Sequence, residues 1–153
     1  MLTQGCVDTE LLPVQRSARK GKKRGRTTID GAKFRARMRA LCAWGPVLVA
    51  VEQVNGRPRD GASRAFSFGF TVGRLVEACE AAGAVVVFVP VAVWRAKLGV
   101  HAHARQTGDD TKTASRFVAS AMFSADTTQW EAASHDGRAE AALIAAYAAK
   151  YCV

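Results

Sequence analysis

Val47-Leu48-Val49-Ala50-Val51 is an uninterrupted apolar run that ends on a carboxylate, Glu52. Such a run suits a strand covered on both faces, as in a parallel sheet. Upstream, Gly45-Pro46 closes a helix whose apolar residues Phe34, Met38 and Leu41 share one face, with Thr28 or Asp30 as its cap. Downstream, the turn-rich basic loop NGRPRDG (residues 55–61) leads into a helix expected from about Ser63 to Ala82. Its apolar positions include Phe68, Val72, Leu75, Val76 and Cys79, and Gly69 and Gly73, one turn apart, would let another backbone approach closely. Gly83 ends that helix, and Val85 to Val89, closed by Pro90, reads as a second buried strand. Strand, helix and strand, with both strands buried, point to a right-handed βαβ unit.

Outward from this unit the pattern is helical. VAVWRAKL (residues 91–98) reads as a short helix and His101 to Asp110 as a polar loop. A helix is expected from Thr111 to Phe123, capped by Asp109 or Asp110, then another polar loop and a last helix from about Asp136 to Lys150. On the N-terminal side, Leu11, Leu12 and Val14 suggest a short strand that Pro13 would place at an edge. Residues 16–27 read as a flexible basic loop. There are no internal repeats.

A chain of 153 residues, 49% hydrophobic, suits one domain over residues 1–153 with a single core. No apolar run reaches the roughly 18 residues of a transmembrane helix, so no membrane partner is expected. The start, Met1 to Glu10, lacks the basic-then-apolar pattern of a secretory signal. Cys6, Cys42, Cys79 and Cys152 are widely spaced, with no C-x-x-C pair. That argues against structural zinc and for reduced thiols in a cytosolic chain, with Cys79 packed in a core.

The net charge is +9, and the run RSARKGKKRGR from Arg16 to Arg26 holds seven basic residues and no acid. The electrostatic case for nucleic acid therefore rests mainly on Arg19, Lys20, Lys22, Lys23, Arg24 and Arg26, with Arg57, Arg59 and Arg64 in and beyond the second basic loop. A solvated loop or a localisation tag is the ordinary reading of the same run.

The acids form the second informative set. An ionised group at the end of a buried strand is costly unless paired or metal-bound, and ligand sites in open α/β sheets lie at the carboxyl ends of strands. Glu52 takes that position. In His135-Asp136-Gly137-Arg138-Ala139-Glu140, the two carboxylates stand at i and i+4 on one helix face that Leu143 and Tyr147 continue. Two such acids, with one from a strand, can hold Mg²⁺, which prefers oxygen ligands and keeps several waters. Taken singly, Glu52 also reads as a surface residue and Asp136 as an acid favoured by a helix N-terminus.

The ordered set VAVEQVNGRPRDGASRAFSFGFTVGRL, VVVFVPVAVWRAKLGV, KTASRFVASAMF and HDGRAEAALIAAY resembles the RuvC-like Holliday junction resolvases, in particular the compact forms of phages and prophages. The resemblance runs from about residue 28 to the C-terminus. It implies an α/β, ribonuclease H-like mixed sheet flanked by helices, and an endonuclease that cuts branched DNA as a homodimer in the cytoplasm of a bacterial or phage-infected cell. Glu52, Asp136 and Glu140 match the family's acids, the spacing of the last two being three in some relatives. They imply Mg²⁺, with Mn²⁺ as substitute, and two-metal hydrolysis. Lys112 matches a lysine near the scissile phosphate, with Arg95 and Lys97 as further phosphate contacts. Phe66, Phe68 and Phe70 lie near the junction-contacting loop, where one can stack on a base while the others pack in a core or a dimer. His135 can assist proton transfer; His101 and His103 read as loop residues.

The family opens with a strand carrying an aspartate in a context like I-D-P-G, which this sequence does not contain, so the fold is expected to be N-terminally truncated. Asp8, in GCVDTELLP, is the one acid with a claim to that role. A start codon assigned too late and a decayed gene are both open explanations. The alternative function is accordingly a catalytically inactive remnant that still binds DNA.

Overall fold

The computed structural model describes residues 12–16, 27–54 and 61–152. Asp8, the basic residues Arg19, Lys20, Lys22, Lys23, Arg24 and Arg26, and Arg57 and Arg59 lie outside the described residues. The chain is mixed α/β. Its elements are β1 (Val14–Arg16), β2 (Thr27–Ile29), α1 (Gly31–Cys42), β3 (Leu48–Gln53), α2 (Ala62–Glu80), β4 (Val85–Pro90), α3 (Val91–Lys97), α4 (Val100–Thr107), α5 (Thr111–Met122) and α6 (Asp136–Tyr151). Short 3₁₀ turns at Ser124–Gln129 and Ala133–His135 fill the segment expected as a polar loop. No described helix is long and apolar enough to cross a membrane.

Two sheets of two strands are present among the described residues. In the first, β1 and β2 are antiparallel, with Val14 opposite Ile29 and Arg16 opposite Thr27. The ends of the expected basic loop are therefore strand residues. In the second, β3 and β4 are parallel neighbours joined through α2, the βαβ arrangement expected from the apolar runs. Val85 N–H donates to the Val47 carbonyl at 2.9 Å where the pairing begins.

The described residues divide into two compact units, one holding 12–16, 27–49 and 61–86, the other 50–54 and 87–152. In the first unit, Phe34 and Met38 of α1 and Ala78 and Cys79 of α2 form a buried cluster with Ala84. Asp30 caps α1, its carboxylate accepting from Lys33 N–H at 3.2 Å. Replacing it by alanine removes that acceptor, and Asp30→Ala is expected to lower stability by about 1 kcal/mol in urea unfolding. Leu41 departs from the expected face: it is exposed, and Cys42 packs on the cluster from the last turn instead.

In the second unit, Val89, Trp94, Val100, Val118, Trp130 and Leu143 lie in one core with small residues such as Ala114, Ala119 and Ala139 between them. The alanines let α5 and α6 pack closely. Trp130 places its indole N–H on Ser120 Oγ at 3.0 Å and its ring edge-on to Phe123.

Three further expectations are corrected. The strands are less covered than their apolar runs suggest. Every residue of β3 up to Glu52 is only half-buried, and in β4 Val89 is buried while Val85 and Phe88 are exposed. A sheet of two strands offers its helices too little surface for both faces to be sealed. The segment from His101 onward is helix α4 and not a loop. Gly99 and Gly108, at φ +81° and +78°, bracket it in the left-handed conformation that glycine adopts without strain. Val100 is fully buried and His103 stacks on Phe117 at 4.0 Å, so packing compensates for a weak apolar pattern. Finally, Phe66, Phe68 and Phe70 are all exposed, so none serves as core, and a Cβ added at Gly69 or Gly73 would meet nothing within 4 Å among the described residues.

Candidate functional site

Glu52, Asp136 and Glu140 all fall in the second unit, on β3 and α6. Strand β3 runs on through Glu52 to Gln53, so Glu52 is a strand residue and not the first residue beyond it. Pro90 ends β4 and turns the chain directly into α3, which places Trp94 and Arg95 side by side near both segments. Trp94 is fully buried, and its indole N–H requires an acceptor there. Glu52 Oε1 supplies it at 3.3 Å.

The neighbouring Arg95 bonds the other glutamate. Its Nη2 lies 2.6 Å from Glu140 Oε1, with both side chains 19% exposed. The guanidinium carbon stands 5.2 Å from the centre of the Trp94 ring, within cation–π range. Arg95 Nε is buried without a partner. Ser115, also fully buried, holds its Oγ 2.8 Å from the Thr111 carbonyl oxygen and 3.5 Å from Glu140 Oε1. Its single proton goes to the nearer acceptor. Neither Trp94 nor Ser115 carried a sequence signal for the site, because an apolar-looking tryptophan and a mid-helix serine read as packing residues. Arg95, expected as a phosphate contact, is paired by the structure with Glu140. Lys97, expected beside it, points its Nζ over the Tyr151 ring at 5.9 Å.

Asp136 opens α6, and Lys112 stands in the first turn of α5, which Asp110 caps by accepting from the backbone N–H groups of Lys112 and Thr113. Lys112 Nζ reaches Asp136 Oδ2 at 2.7 Å, its own side chain remaining largely exposed. The hydrogen bond from Lys112 holds the Asp136 carboxyl below its ordinary value of 3.8, helped by the residue's own backbone N–H. The same bond, and the charge of Asp136, raise the Lys112 ammonium above 10.5, with smaller pulls from Glu140 and Asp110. The stabilisation carried by Asp136 is thus present above the ordinary carboxyl pKa and lost as pH falls through the depressed one. That carried by Lys112 is present below the ordinary lysine pKa and lost as pH rises through the raised one. Lys112→Gln is expected to return the Asp136 pKa toward 3.8, as followed by carboxyl-carbon NMR during acid titration.

The remaining candidates are dispersed. Arg64 is exposed in the first turn of α2, in the first unit. His135 precedes α6 with Nδ1 buried and unpartnered. His103 Nε2 lies 3.6 Å from Asp109 Oδ2. Among the described residues, no group of three or more His, Cys, Asp and Glu side chains converges as a metal cage. Each acid of the trio instead has a donor of the chain on it: an indole, a guanidinium or an ammonium. All three side chains carry oxygen donors of the type hard Mg²⁺ takes, and all three partners are groups that a divalent cation can replace. No known family model matches the chain, and no curated protein matches it significantly.

Proposed function

We propose that the chain is a Mg²⁺-dependent endonuclease of ribonuclease H-like fold that cuts branched DNA such as Holliday junctions, with Mn²⁺ able to substitute. One observation carries the reading. Glu52 and Glu140, far apart in sequence, are bonded by two adjacent residues of one helix, Trp94 and Arg95, while Asp136 stands one turn before Glu140 on α6. Glu52, Asp136 and Glu140 would hold the cation, which when bound supplies Lewis-acid stabilisation and a nucleophilic water at neutral pH. Lys112, with most of its side chain in solvent at the same helix ends, would neutralise a phosphate. The basic residues between Arg16 and Arg26, with Arg57, Arg59 and Arg64, supply backbone attraction, and a homodimer matches the two strands to be cut.

The test is nicking of a synthetic four-way junction by the purified chain with Mg²⁺ or Mn²⁺. Metal-dependent nicks near the branch are expected, and no cleavage with either ion would remove the proposal. The pairing of Glu140 and Asp136 with resident cations favours a second reading, a DNA-binding protein that does not cut. It expects binding without cleavage. If all seven basic residues from Arg16 to Arg26 touch phosphate, log affinity falls with log salt at a slope of about −6 on duplex arms.

A further inference from the structure

We infer that Arg95 is a resident counter-ion of the acid site: it holds Glu140 until a divalent cation draws that carboxylate away, and the released guanidinium then turns to an anionic oxygen of the ligand. This rests on the metal-dependent reading above and adds its regulation. Four observations carry it. The Arg95–Glu140 contact is short, at 2.6 Å, and both side chains are about four-fifths covered, so solvent and salt screen the pair weakly. The acid engages Nη2, while Nε is buried with no partner, so the guanidinium keeps an unused donor inside the site. The Trp94 ring beneath it is itself tied to Glu52, so the two acids are coupled through neighbouring residues. Lys112, the other cation of the site, is 68% exposed on a flexible stem and yields Asp136 at little cost. A cation binding here therefore competes chiefly with Arg95. Once freed, its planar fork matches a phosphate oxygen pair.

The experiment is Mn²⁺ binding to the DNA-free protein, read by electron paramagnetic resonance, for the parent chain, Arg95→Gln, Lys112→Gln and Arg95→Gln with Glu140→Gln. Removing one charge-assisted bond predicts affinity about ten-fold tighter in Arg95→Gln. Lys112→Gln should change it about two-fold or less, and the double variant should lose the gain. Equal affinity in the parent and Arg95→Gln overturns the counter-ion role and leaves the metal reading standing. No Mn²⁺ bound by either at millimolar concentration overturns both. A measurement on the parent chain guards against a misfolded variant. During a Mg²⁺ titration followed by ¹⁵N NMR, the Arg95 Nε–H and Trp94 Nε1–H signals should move with one midpoint. An Arg95 signal unmoved at saturation overturns the inference.

Discussion

Glu52→Gln is expected to lower the proposed metal-dependent junction nicking by about 10³-fold or more while leaving the fold intact. On the proposed reading the loss follows from removing a charged ligand from a site whose chemistry would depend on the cation, several kcal/mol of transition-state stabilisation at about 1.4 kcal/mol per decade. The fold survives because the glutamine carbonyl oxygen still accepts from the Trp94 indole N–H, as Glu52 Oε1 does at 3.3 Å. Circular-dichroism melting should therefore move little, by less than about 1 kcal/mol in stability. Glu140→Gln removes the same kind of proposed ligand but also deprives Arg95, about four-fifths covered, of its counter-charge, so its stability should fall further, by about 1–3 kcal/mol. A Glu52→Gln protein that nicks as fast as the parent would show that this carboxylate is no ligand.

Trp94→Ala should have the largest effect on stability. The side chain is fully buried in the core of the second unit, between β4 and the helices that follow. Truncation loses its apolar contacts and leaves a cavity, for about 3–5 kcal/mol in urea unfolding. It also leaves Glu52 without its donor and Arg95 without the ring beneath it. Trp94→Phe separates these roles: it keeps most of the volume, loses only the indole N–H, and should cost about 1–2 kcal/mol. Similar losses for the two variants would place the importance of Trp94 in its hydrogen bond and not in packing.

Much of the element order was legible in the sequence because it rests on short-range signals. The apolar runs at Val47–Val51 and Val85–Val89 mark β3 and β4, and of the two caps open for each helix the structure uses Asp30, not Thr28, and Asp110, not Asp109. Helix α6 begins at Asp136 as expected. What failed was judged from composition alone. HAHARQT reads polar and yet is helix, because Gly99 and Gly108 define its ends and Val100 anchors it in the core. Two of Phe66, Phe68 and Phe70 read as core or dimer residues, and the core part of that reading fails: all three are exposed, because the stripe of α2 that packs runs through Leu75, Ala78 and Cys79.

The acids sharpen the same division. By itself the sequence determined which carboxylates exist, that one ends an apolar run, and that two share the first turns of a helix, since strand alternation and helical period are properties of neighbours along the chain. Only the tertiary structure decided what each acid touches. Glu52 meets Trp94 across 42 positions and Glu140 meets Arg95 across 45, a choice of partner made when β3, α3 and α6 pack together. Desolvation in that packing gives those contacts their strength, and no local pattern encodes it.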